Sequence, residues 1–256
     1  MMTLLPLLLS LAACGDAFET GTLQTDEEHA ATWAAVLANP ASRAALRSPD
    51  VDQRFELADA VFVGKVLDIG YRDSVATEGA PAIPFTFVTW HVEKAWKGLD
   101  AGETLTARFM GGVSADGRVL SGSEQPEFAL GDRDVVFLDS RLPGACPLVG
   151  GAFGRFRLVQ GRVYGNDGES FGVGANGLVR VGARDLAEMH VLDRAGTIVE
   201  TAHTGPTSRG PDSPPEARFF ALLDQQFAGR DSTVRPRNAD PSVSFSAPAL
   251  QLSPND

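Results

Sequence analysis

The sequence predicts a mainly β protein: a small antiparallel barrel of five to six strands with flanking helices and a disordered C-terminal tail. Three observations predict it. Short segments rich in β-branched and aromatic residues recur from Ala60 to Tyr164, each closed by a turn residue. Helical spacing of apolar residues occurs only before and after that stretch. Beyond Gly229 the chain is polar and Pro-rich with no periodicity, the composition of a segment that buries too little apolar surface to order itself.

Residues 1–13 carry no charged side chain, and their apolar run is interrupted only by Pro6 and Ser10. A bilayer-spanning helix needs roughly 20 apolar residues, so the run reads as the apolar region of a signal peptide. It closes on Leu11-Ala12-Ala13-Cys14, which resembles the lipobox of bacterial lipoprotein precursors. That resemblance implies cleavage before Cys14, a diacylated Cys14 thiol bearing palmitate-type chains, and a membrane as the first partner. Burying about 0.8 kcal/mol per methylene over several chains makes such an anchor effectively permanent. Gly15, where an aspartate would signal retention, favours the outer membrane. Simple secretion, with Cys14 incidental, is the other reading, because no Lys or Arg precedes the apolar run.

Residues 14–54 form a tether and an N-terminal helical segment. Thr25-Asp26-Glu27-Glu28 reads as a capping box before a helix over 29–37 that places Trp33, Val36 and Leu37 on one face, and Asn39-Pro40 stops it. A further helical turn is expected over 41–47. The barrel domain spans 55–165. Its strands are expected over 60–69, 85–98, 104–110, 134–138, 148–151, 153–159 and 162–164, with Arg155 and Arg157 facing away from Phe156 and Leu158. Gln160-Gly161 joins the last two as a hairpin.

Residues 166–229 form a C-terminal extension. A short helix is expected over 185–194, and a stronger one follows Ser213-Pro214-Pro215-Glu216, where the serine acts as cap. Phe219, Phe220, Leu222, Leu223 and Phe227 give that second helix a broad apolar face, and Gly229 ends it. Such a face should dock on the barrel. Residues 230–256 are the tail.

Three segments together carry a second resemblance: Ala58-Asp59-Ala60-Val61-Phe62-Val63-Gly64-Lys65-Val66, Val92-Glu93-Lys94-Ala95-Trp96-Lys97-Gly98, and Phe128-Ala129-Leu130-Gly131-Asp132-Arg133-Asp134-Val135-Val136-Phe137-Leu138. They resemble bacterial secreted proteins related to the netrin and metalloproteinase-inhibitor (TIMP-like) modules. The resemblance covers about 55–159 and implies an OB-like barrel. The animal inhibitors use an N-terminal cysteine and several disulfides; here Cys14 is the expected lipid site and lies well before the first strand.

A net charge of -11 disfavours nucleic acid as a partner, since affinity there comes from neutralising phosphates. With Cys14 lipidated, Cys146 has no partner in the chain and reads as a small buried hydrophobe. The histidines, His29, His91, His190 and His203, lack metal-site spacing, and Gly112-Val113-Ser114-Ala115-Asp116 lacks the final glycine of a nucleophile elbow. Asn166-Asp167-Gly168-Glu169 reads as a solvated hairpin, His91 and Glu93 as a surface pair on one strand face, and Trp96 as packing at the barrel end. No catalytic, cofactor or metal residue is assigned. The expected function is a membrane-anchored, non-enzymatic binding or accessory module for another envelope or secreted protein. The alternatives are a hydrolase whose site assembles only in three dimensions, from His91, His190, Glu93 and Asp134, and an envelope-structural lipoprotein.

Overall fold

The computed structural model describes residues 51–76, 81–121, 125–141, 146–174, 177–184, 187–192, 198–204, 213–230 and 234–244, with 173–204 described through the backbone alone. Cys14 and the helices expected over 29–37 and 41–47 lie outside the described residues. The protein is mainly β. Strands β1 (Ala60–Asp73), β2 (Pro84–Lys97) and β3 (Thr104–Met110) form an antiparallel meander. A small hairpin of β4 (Gly112–Val113) and β5 (Val119–Leu120) follows, and β6 (Arg133–Leu138) then returns to pair with the free side of β1.

The resulting order, β6-β1-β2-β3, is a Greek key. Strands β7 (Arg155–Val159), β8 (Arg162–Gly165), β9 (Glu169–Gly174) and β10 (Gly177–Arg184) extend the sheet by successive hairpins. The sheet therefore has eight strands where five to six were expected, and it runs from β10 to β3 with no pairing among the described residues that joins its two edges. A separate hairpin consists of β11 (Ala187–Leu192) and β12 (Ile198–Thr204).

Both faces of the central strands are buried. Val61, Val63, Val135, Phe137 and Phe156 face one side, where helices α1 (Val51–Leu57) and α2 (Glu216–Phe227) cover them. Phe55 of α1 stacks on Phe227 of α2 with ring centroids 4.0 Å apart, and Phe219 lies 5.2 Å from Phe156. Each such ring contributes about 1.5–3 kcal/mol by leaving water. Ala60, Phe62, Val136 and Leu138 face the other side, with Val88, Trp90, Val92, Leu105 and Phe109 of β2 and β3. The register of β1 against β2 shifts between Val66 and Asp68, which leaves Leu67 unpaired and 51% exposed. A bulge of this kind bends a strand and sharpens its twist.

Strand β3 has the expected bounds, and β1, β2, β6, β7 and β8 differ from theirs only at the ends. Four expectations fail. The segment expected as a helix over 185–194 contains β11, where Ala187, Met189 and Val191 alternate with Glu188 and His190 and the register to β12 runs from Ala187↔Thr204. That is a period of two, which pairing rewards over helical propensity. The strand expected over 148–151 reduces to a single bridge from Leu148 to Leu138 ahead of a 3-10 turn at Gly151–Gly154. Arg155 and Arg157 face away from Phe156 as expected, and they enter the second buried layer with 1% and 5% exposure. Helix α2 has no side-chain cap, because its N-cap position is Pro215, which has no side-chain acceptor, and Ser213 lies buried two residues earlier. Residues 234–244 of the tail follow a defined course along β3, described below. No described helix is long and apolar enough to cross a membrane.

Candidate functional site

The outer edge of β3 ends the sheet, and an uncovered edge is a row of unmet backbone donors and acceptors. Residues 234–244 lie along it as a strap. Asn238 Oδ1 accepts from Thr106 N at 2.8 Å, in the role of a backbone carbonyl, and Ala239 N donates to Thr106 O at 2.8 Å. Pro236 and Pro241 lack the N–H to extend this pairing in either direction. Arg235 adds ion pairs to Asp100 at 2.7 Å and Glu103 at 2.8 Å. These are exposed and contribute little each.

A buried polar knot anchors the strap from beneath. Arg237 N donates to Ser140 Oγ at 2.6 Å, and Ser140 Oγ donates to Asp59 Oδ2 at 2.5 Å. Asp59 also accepts from Ser140 N, at 3.1 Å to each oxygen. Asp139, with no exposed side-chain surface, pairs with Arg141 Nε at 2.9 Å, and the same nitrogen lies 3.8 Å from Asp59 Oδ2. Gly98 closes over this knot at φ 75, where a Cβ would stand 2.0 Å from Asp59 O, so glycine is required there. Lys97 donates to Phe55 O at 2.7 Å, and burial draws its pKa down.

Burial raises the pKa of Asp59 from 3.8 to about 6, with the nearby Asp139 adding to the rise and the Ser140 hydrogen bonds opposing it. Folded Asp59 therefore holds its proton over a range where the unfolded chain has lost it. The charged form costs stability above pH 6, and the cost fades as pH falls from about 6 toward 3.8. Asp59→Asn removes that term. Its stability relative to wild type should improve by about 2–3 kcal/mol between pH 4 and pH 7.5, read from urea unfolding. A difference that stays flat with pH would contradict a buried, ionising Asp59.

Strap, β2 and β3 enclose a cleft of about 340 Å³. Its lining includes Phe87, Ala107 and Val243 as apolar surface, and Arg108, Arg237 and Asn238 as polar groups. Burial lowers the pKa of Arg108, whose guanidinium lies 5.1 Å from the Phe85 ring centroid. Asp240 also lines the cleft, but its Oδ1 is engaged by Ser242 N at 2.8 Å and Ser242 Oγ at 2.6 Å, which holds its pKa down.

A second charged cluster lies inside the sheet. Arg155 meets Asp132 at 2.9 Å and Asp134 at 2.9 Å, stacks over Phe128 at 4.3 Å, and donates to Glu127 O. The Asp134 contact is an ion pair without the alignment of a hydrogen bond. Burial raises the pKa of Asp134 against the pull of Arg155, while the two carboxylates outweigh burial and keep Arg155 charged. The space beside it is about 10 Å³, too small for a ligand, so the cluster is structural.

The residues singled out in the sequence do not converge. Glu93 is held by Arg133 at 2.7 Å, and Arg133 also meets Glu216 of α2 at 3.0 Å, so the partner of Glu93 is an arginine and not His91. Asp134 is sealed in the core, and the side chain of His190 lies outside the described residues. Cys146 forms no disulfide among the described residues and is only partly buried, packed against the second core layer where a fully buried hydrophobe was expected. Ser114 bonds Asp116 and the Arg118 carbonyl within its own loop. Asn166 donates to Asp167 Oδ1 at 2.9 Å in the β8–β9 turn. Trp96 packs on Phe220 and donates to Asp224 at 2.7 Å, clamping α2 to β2. Among the described residues no group of three or more His, Cys, Asp or Glu is placed to hold a metal.

The cleft residues went unnoticed in the sequence. Arg237 and Asn238 sit in a segment composed like a disordered tail, and Ser140 is 97 positions from Arg237. The one available signal was Asn238 between two prolines, Pro236 and Pro241, a pattern suited to an edge. No protein-family model, curated protein or solved structure matches this chain.

Proposed function

We propose that the chain is an exported lipoprotein, cleaved before Cys14 and held to a membrane of the bacterial envelope by lipid on that residue, that acts as a non-enzymatic binding module. The observation that carries the binding role is the cleft between β3 and the strap, with apolar walls and a few polar groups. The Greek-key portion is read as an OB-like barrel of the netrin and metalloproteinase-inhibitor kind. The order β6-β1-β2-β3 and the apolar layer shared by β1, β2, β3 and β6 support that reading. The hydrolase alternative is weakened by the separate engagements of Glu93 and Asp134.

The test is affinity recovery from native envelopes. Wild type is expected in the membrane fraction with a reproducible co-purifying component, and Cys14→Ser in the soluble fraction. Abundant protein with no recovered component would favour the envelope-structural alternative.

A further inference from the structure

We infer that the outer edge of β3 is a docking site for an extended, basic segment of an exported partner protein, which takes the place of the strap and adds a strand to the sheet. This rests on the binding-module reading and names the partner's chemistry. Thr106 sends both its N–H and its carbonyl outward, to Asn238 Oδ1 and Ala239 N. Strand alternation gives Thr104 and Met110 the same outward sense, while the Glu103 carbonyl turns inward and accepts from Val92 N of β2. A regular strand entering here pairs at Thr104 as well as Thr106, with a backbone carbonyl where the strap offers a side-chain amide.

The strap is built to be replaced. None of residues 234–244 is buried, and a cleft of about 340 Å³ remains between them, β2 and β3, so little packing is lost when the strap leaves. Arg237 N donates to Ser140 Oγ and not to β3, and that hydroxyl keeps its bond to Asp59 without it.

Charge at the head of the edge selects the replacement. The strap runs in the direction of β3, with Arg235 beside Asp100 and Glu103 and Ala239 at Thr106. Its departure uncovers both carboxylates in a chain of net charge -11, so the segment that replaces it carries a cation where Arg235 stood.

The experiment uses the full chain carrying Cys14→Ser. Short labelled peptides of alternating valine and threonine, with arginine, glutamine or glutamate at both ends, are titrated by fluorescence anisotropy. The arginine peptide should bind saturably, the glutamate peptide about tenfold more weakly, and an arginine peptide N-methylated throughout should not bind, because it has no N–H to pair. Asn238→Ala, which loosens the strap, should tighten the arginine peptide about tenfold, and Thr104→Pro should weaken it about tenfold. Asp100→Asn with Glu103→Gln should abolish the preference for arginine over glutamine. Circular dichroism and the unfolding midpoint check that each variant is folded. Hydrogen exchange on the chain carrying Cys14→Ser alone needs no further variant: at saturation Ala239 N–H should lose protection while Thr106 N–H keeps it.

No saturable binding to either the parent or the Asn238→Ala chain, equal binding of the methylated peptide, or unchanged protection of Ala239 would overturn the docking site. Failure of folded Asn238→Ala to tighten binding, or of Thr104→Pro to weaken it, would do the same. Binding without preference for arginine would overturn the basic character of the partner. Equal recovery of an envelope component by the parent and Thr104→Pro chains would keep the binding-module reading and remove this edge from it, whereas recovery of none would overturn that reading whatever the peptides do.

Discussion

Replacing Arg155 with methionine is expected to lower the unfolding free energy by about 3–5 kcal/mol, the range for removing one partner of a buried ion pair. Arg155 is 1% exposed, and its guanidinium stands 2.9 Å from both Asp132 and Asp134. Methionine fills a similar volume but leaves Asp134, which has no exposed surface, without the guanidinium 2.9 Å away. Arg157, 3.7 Å from Asp132 and opposite Asp134 in the β6–β7 register, remains to offset part of that charge. Adding Asp134→Leu should recover much of the loss, because the residual buried charge is then removed. Urea unfolding of the single and double variants reads both effects. A loss below about 1 kcal/mol for Arg155→Met, the value of an exposed pair, would mean that the cluster is solvated.

Trp90→Ala should be comparably severe, at about 3–5 kcal/mol, the cost of truncating a large buried aromatic. Trp90 is fully buried and makes edge-to-face contacts with Phe62 at 6.0 Å and Phe128 at 5.4 Å. A Cβ on Gly64 would stand 2.9 Å from its ring, so the glycine is what admits the indole between β1 and β2. The indole Nε1 has no acceptor in this layer. Trp90→Phe therefore loses volume but no hydrogen bond, and should cost less than half as much as the alanine variant. Equal losses from both would show that the indole nitrogen is satisfied and the packing secondary.

These two residues also show what a sequence discloses about such a fold. Trp90 lies in a strand whose alternating pattern and flanking turns are plain, and β3, with Thr104-Leu105-Thr106-Ala107-Arg108-Phe109-Met110 before two glycines, is legible to the residue. Arg155 is equally visible as a strand residue, yet its environment is not. Alternation of Arg155 and Arg157 with Phe156 and Leu158 is the signature of a sheet wet on one face. Here the second face is covered by β2, β3 and the loop bearing Phe128, and the balancing charge comes from Asp134 on the neighbouring strand β6 and from Asp132 just before it, 23 positions from Arg155. Pairing at long sequence separation leaves no local mark.

The same physics hid β9, β10 and β11. Glycines at 172, 174, 177 and 182 dilute the β signal of β9 and β10, and the six residues of β11 are too few to separate a strand period from a helical one. The cleft was least legible of all. It is built from β2, the edge strand β3, the loop after β6 and a Pro-flanked tail, and long-range contacts such as Thr106–Asn238 and Ser140–Arg237 bring them together.

The central proposal is that Cys14 carries the protein's membrane anchor, and metabolic labelling with radioactive palmitate tests it most directly. Label on the mature wild-type protein in the membrane fraction, and none on Cys14→Ser, is the predicted result. Unlabelled wild-type protein released to the medium would contradict it.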